Sequence, residues 1–163
     1  MTKVKEITIN RGDDVILARD YAREIAQEIG FDIIEQTQIS TATCELSRNA
    51  HQFASNGKVT ITGLLNGNKR GIGIVVEDRG PGIPDIDQAL EDGFSTNNGM
   101  GFGLPGARRL MDEFEIESRI GQGTTVKIKK WLKSIKSTQS DTSLDRNLGE
   151  LFGPDEAVDL NPA

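Results

Sequence analysis

Residues that usually carry reactive chemistry are scarce in this chain. It holds one cysteine, one histidine, one tryptophan and one tyrosine, and aromatic residues make up only 5% of it. A lone Cys44 excludes an intrachain disulfide framework and fits a reducing compartment. It also has no histidine placed to activate it, while His51 falls in a helical pattern as a partly exposed residue. Neither supports nucleophilic catalysis. No apolar run approaches the roughly 20 residues that span a bilayer, and the start, Met-Thr-Lys-Val-Lys-Glu, lacks the apolar centre of a signal peptide. The net charge of −6 argues against a sequence-independent nucleic-acid binder, which needs a basic stripe for phosphates. The expectation is a soluble, cytoplasmic protein with no nucleic-acid and no membrane partner.

The charge is unevenly spread. From Ser134 onward six acids face only Lys136 and Arg146, so the last 30 residues carry −4 of the −6. That asymmetry divides the chain into a compact domain, residues 1–133, and an acidic tail, residues 134–163. The tail is rich in Ser, Thr, Gln and Asp and is expected to be disordered. Its apolar islands, Leu148/Leu151/Phe152 and Val158/Leu160, read either as docking segments or as parts of a solvated tail.

Within the domain, Val4 to Asn10 alternates as a short edge strand does. Asp13 or Asp14 can cap a helix whose apolar positions are Val15, Ala18, Ala22, Ile25 and Ile29, ending at Gly30. A second helix starts at Asp32 and aligns Ile39, Ala42, Leu46, Asn49/Ala50 and Phe53 on one stripe. Lys58 to Leu65 and Gly71 to Asp78 read as strands joined by Asn66-Gly67-Asn68. A polar, glycine-rich stretch from Asp92 to Gly103 precedes a helix at Leu104-Pro105, and strands over about 114–120 and 124–132 close the domain. This order predicts an α+β two-layer sandwich, a mixed β-sheet with helices on one face.

Seven of the 18 glycines cluster at 80/82, 99/101/103 and 121/123, each group next to an element end. The run Ile72 to Pro84 delivers one carboxylate, Asp78, from a buried strand to the rim of the sheet, where Gly80 and Gly82 allow close approach of backbone. Pro81 and Pro84 stiffen that turn. Gly99-Met-Gly101-Phe102-Gly103 leads into a helix start, which reads as an anion site or as a flexible loop. Glu45 and Asn49 lie four apart, on one side of the second helix. They suit a general base beside an oxygen ligand for magnesium, or a pair of surface polar residues. Gly101-Phe-Gly103-Leu-Pro-Gly106 also matches a dinucleotide-binding pattern, but no strand precedes it, so that reading fails.

Glu45-x-x-x-Asn49, Asp78-x-Gly80-x-Gly82, Gly99-x-Gly101-x-Gly103 and Gly121-x-Gly123-Thr124 occur in that order. Together they resemble the Bergerat ATP site of the GHKL superfamily, over about residues 3–133. Gly80-Pro-Gly-Ile-Pro-Asp-Ile, Asp92-Gly-Phe-Ser-Thr and Gly103-Leu-Pro-Gly-Ala-Arg-Arg-Leu-Met-Asp-Glu-Phe further resemble the RsbT-like, stressosome-associated serine kinases. The resemblance implies ATP and Mg²⁺ as cofactors, with Glu45 as base, Asn49 on the metal and Asp78 accepting the adenine amino group. It further implies Gly80, Gly82 and Thr124 beside the base, and Gly99, Gly101, Phe102, Gly103 and Leu104 around the phosphates. Implied partners are STAS-domain proteins as substrate and scaffold, and a PP2C-type phosphatase as effector. An anti-sigma kinase and a nucleotide-gated binding module are the alternatives. The sensor type of histidine kinase is not implied, because no second histidine is available as phosphoacceptor.

Overall fold

The computed structural model describes residues 4–54, 56–91 and 103–133. The elements in order are β1 (Val4–Ile9), α1 (Gly12–Ile29), α2 (Ile33–Phe53), β2 (Gly57–Asn66), β3 (Lys69–Asp78), α3 (Ile86–Ala89), α4 (Leu104–Leu110), β4 (Glu113–Arg119) and β5 (Gly123–Trp131).

Helix α1 buries Val15, Ala18, Ala22, Ile25 and Ile29, the stripe its periodicity predicts, and the Gly30 N–H closes it on the Ala26 and Gln27 carbonyls. Its start differs from expectation. Neither aspartate occupies the capping position; Asp14 sits inside the first turn and accepts the N–H groups of Asn10 at 3.0 Å and Arg11 at 2.9 Å. Those two bonds to the charged form hold its carboxyl below the usual range. In α2 the Asp32 side chain accepts the Glu35 N–H at 2.7 Å, the expected cap. This helix is unusually rich in hydroxyl residues, and the buried ones satisfy themselves locally: Thr43 donates to the Ile39 carbonyl at 2.8 Å and Ser47 to that of Thr43 at 2.6 Å. Of the predicted stripe, Ile39, Ala42, Leu46 and Ala50 are buried, but Phe53 is 46% exposed because the helix ends there.

The strands form one sheet in the order β1-β2-β3-β5-β4. Ile7, Ile9, Val59, Ile61, Ile72, Ile74, Val76, Val126 and Ile128 project from it into a single core shared with the helices. Each such side chain, fully buried, stabilises the fold by roughly 1.5–3 kcal/mol. The two-layer α+β class is as expected, with β1 at an edge. The sheet, however, is antiparallel at every pairing rather than mixed. Two helices, not one, separate β1 from β2, so the chain returns reversed. Strands β3 and β4 do run in the same sense, since both pair antiparallel with β5, which inserts between them. The β2–β3 hairpin is tighter than predicted, with Asn66 paired to Lys69 and only Gly67-Asn68 between them. The four-residue α3, held by Asp85 accepting the Gln88 N–H at 3.0 Å, was not anticipated.

Candidate active site

Asp78 ends β3, flanked in register by Gly57 on β2 and Thr124 on β5. Its half-buried carboxylate is oriented through one oxygen. Oδ1 accepts the Gly80 N–H at 2.9 Å and the Thr124 N–H at 3.2 Å. Among the described residues nothing donates to Oδ2. The site therefore holds a fixed, ionisable acceptor with one oxygen to spare, positioned by backbone rather than by a cation.

The turn after Asp78 is stitched to the β4–β5 hairpin. Gly121 donates its N–H to the Pro81 carbonyl at 2.9 Å, and Ile83 donates its N–H to Ser118 Oγ at 2.7 Å. Glycine is required where these chains meet. Gly82 has φ +80°, and a Cβ there would collide with the Arg119 carbonyl. Gly123 has φ +110°, and a Cβ there would overlap the carbonyl of Asp78 itself. Gly80 is close to the end of α2: a Cβ would lie 2.8 Å from the Phe53 carbonyl oxygen. The frame expected from Pro81 and Pro84 thus exists, but hairpin contacts supply much of its rigidity.

That closeness to Phe53 places the turn beside the end of α2. Asn49 lies one helical turn before Phe53 and Glu45 two, about 6 and 12 Å along the axis. Both are half-buried, bordering the buried Ala42, Leu46 and Ala50. Glu45 Oε1 pairs with Arg48 Nη1 at 2.9 Å, while Arg48 remains 55% exposed. Such a pair is worth about 1 kcal/mol or less, so Glu45 is easily freed from it. Helix α4 packs on α2. Gly103 caps it, and Leu104 opens it, partly buried against the core. Among the described residues nothing lies within 4 Å of where a Cβ at Gly103 would sit. Gly99, Gly101 and Phe102 lie outside the described residues, as do the whole stretch 92–102 and the tail from Ser134.

The structure thus joins Asp78, Gly80, Gly82 and Thr124 in one hydrogen-bonded corner, with Asn49 and Glu45 on the adjoining helix. An open depression of about 600 Å³ between Gln52–Ala54, Arg79–Pro81 and Gly121 adjoins this corner without including Asp78 or Thr124. Ser118 was missed by reading the sequence, and Gly123 was read as part of a glycine motif without its close approach to the Asp78 carbonyl. For Ser118 a signal exists: strict alternation in β4 puts it on the same side as Phe114 and Ile116, a polar residue facing inward.

The donor set fits a nucleotide with magnesium. A single open carboxylate oxygen suits an amino group of a base. Among the described residues no three His, Cys, Asp or Glu side chains converge on a metal. A cation here would therefore take one carboxamide oxygen, from Asn49, with phosphate and water completing its shell, as Mg²⁺ prefers.

Residues 34–134 match the family described as histidine kinase-, DNA gyrase B- and HSP90-like ATPases, and the chain belongs to that family. Within it, the chain is 47% identical over 120 residues to the serine/threonine-protein kinase RsbT of Bacillus subtilis (strain 168), covering 74% of this chain and 90% of that one. It thus belongs to the RsbT-like serine/threonine kinase group. It is also 34% identical over 136 residues to the anti-sigma F factor of Thermoanaerobacter sp. (strain X514), covering 78% of this chain and 92% of the other. The anti-sigma F factor of Geobacillus kaustophilus (strain HTA426) is 31% identical over the same length, covering 78% and 90%. Among the described residues no helix is long and apolar enough to cross a membrane.

Proposed function

We propose that this chain is an ATP-dependent partner-switching kinase that phosphorylates a serine or threonine of STAS-domain proteins and, when released from them, activates a PP2C-type phosphatase or another effector in the cytoplasm. Residues 1–133 would form the kinase domain and residues 134–163 an acidic extension. The observation that supports it most is the Asp78 carboxylate, with Oδ1 occupied by two backbone donors and no donor to Oδ2 among the described residues.

Asp78 would accept the exocyclic amino group of adenine. Guanine would turn a carbonyl oxygen toward the same atom and set acceptor against acceptor, a mismatch that discriminates strongly. The turn held by Gly82 and Gly123 would give the base its backbone floor, and Thr124 would meet its edge. Backbone N–H groups at Gly101 to Leu104 would face the phosphates. Asn49 would hold Mg²⁺ through its carboxamide oxygen. Glu45, released from Arg48, would orient the incoming hydroxyl and take its proton. ATP would supply the phosphoryl group, and bound Mg²⁺ would supply positive charge beside the phosphate oxygens. Positioning and charge neutralisation then do most of the catalysis.

The full chain incubated with labelled ATP, Mg²⁺ and a STAS-domain protein should give a phosphoserine or phosphothreonine product. Label retained as ATP, under conditions where the nucleotide binds, would reject the kinase reading. Similarity to the anti-sigma F factors supports a second reading, a kinase that also grips a sigma subunit. Capture of a sigma factor in an ATP-dependent pull-down would favour it.

A further inference from the structure

Ser118 has no role in the site as proposed above, yet three hydrogen bonds meet at its hydroxyl. Ile83 N–H donates to Oγ at 2.7 Å, the Gly123 carbonyl oxygen lies at 3.2 Å, and Thr124 Oγ1 lies at 2.8 Å. A serine hydroxyl has one proton to give. The contact with Thr124 sits at the preferred O–H···O separation, whereas the carbonyl of Gly123 lies beyond the usual range. Two arrangements are available. If Thr124 donates to Ser118, Thr124 shows a ligand only lone pairs and the serine proton is left with its long contact. If Ser118 donates to Thr124, the threonine proton is free to point outward.

Thr124 is the direct cross-strand neighbour of Asp78. On adenine, the position next to the exocyclic amino group is N1, an acceptor. A base that gives its amino proton to Asp78 therefore presents an acceptor toward the Thr124 side, directly or through one water. That favours the second arrangement, a chain from Ser118 to Thr124 to the base. On guanine the same two positions are reversed, a carbonyl oxygen and an N–H, so a donating Thr124 opposes guanine as Asp78 does.

We infer that Ser118 is a positioning and specificity-determining residue, which fixes the Thr124 hydroxyl as a donor toward the purine edge while clamping the Gly80–Ile83 turn through the Ile83 N–H. This rests on the adenine reading of Asp78.

The test is calorimetric binding of ATP, and of GTP, to the full chain with Mg²⁺ in wild type, Ser118→Ala, Ser118→Thr, Thr124→Val and the Ser118→Ala/Thr124→Val pair. Ser118→Ala should weaken ATP about five- to tenfold, the worth of one such hydrogen bond, and shrink the preference for ATP over GTP. Ser118→Thr should restore both. In the Thr124→Val background, Ser118→Ala should cost less than about twofold, because residues acting through one another are not additive. Additive losses, or an unchanged ratio of ATP to GTP affinity beside a lowered melting temperature, would overturn the inference and leave Ser118 a turn clamp. Loss of ATP by Asp78→Asn with none by Ser118→Ala would sink this inference alone. Retention of ATP by Asp78→Asn would remove the adenine reading and this inference with it.

Discussion

The backbone N–H of Thr124 donates to Oδ1 of Asp78 across 3.2 Å, joining two residues 46 positions apart. The Gly80 N–H uses the same oxygen at 2.9 Å, so two backbone donors aim the carboxylate and, among the described residues, no side chain takes part. The corner of the sheet at which β3, β5 and the Gly80–Ile83 turn meet is therefore set by backbone geometry, and the predictions below follow from it.

Gly123→Ala should destabilise the fold by about 3 kcal/mol. The residue combines φ +110° with a Cβ position occupied by the Asp78 carbonyl, and left-handed strain alone costs on the order of 1–3 kcal/mol. Urea denaturation measures this directly. A midpoint equal to wild type would contradict the close approach of β5 to Asp78.

Glu45→Ala should leave ATP affinity intact and slow phosphoryl transfer by about 10²–10⁴-fold, the usual worth of a positioned base. Single-turnover transfer to the protein acceptor is the readout. Arg48→Ala supplies the contrast: it removes the 2.9 Å pair without touching the proposed base, so transfer should persist. A wild-type rate in Glu45→Ala would take the role of base away from that residue.

Asn49→Ala should abolish the gain in ATP affinity that magnesium brings. Titrations with and without Mg²⁺ would then coincide for the variant and differ for wild type. A variant that still responds to magnesium as wild type does would show that the metal is held elsewhere.

Asp14 carries a pH signature. Its carboxyl is held low first by the Asn10 N–H and then by that of Arg11. A carboxyl lowered on folding contributes stability above its unfolded value, and this contribution is lost as pH falls through the folded one. Asp14→Asn should therefore melt below wild type near neutral pH, and the gap should close toward acid pH. A gap that stays constant through the acid range would show that the α1 cap does not depend on charge.

The fold was legible where periodicity and turn chemistry agree. The inward stripe of α1, the Asp32 cap and the delivery of Asp78 to a strand end could all be read from local pattern. Strand direction could not, because it depends on β5 inserting between β3 and β4, a pairing with no local sequence mark. Phe53 followed the helical spacing of α2, but the helix end left it exposed. Ser118 went unread for a similar reason. Its partners Ile83, Gly123 and Thr124 come from two other segments, and only the hairpin's closure onto the turn gathers them. The glycines were visible as a composition signal, while the need for Gly123 emerges only from the carbonyl it must clear.

The most direct test is isothermal titration of ATP into wild type and Asp78→Asn. The amide oxygen can keep both internal bonds, from Gly80 and Thr124, so the variant should fold normally. Its NH₂ group, however, would stand where Oδ2 accepted and would oppose the adenine amino group. Affinity should fall on the order of 10²-fold or more while the melting temperature without nucleotide changes little. ATP bound by Asp78→Asn as tightly as by wild type would contradict the account.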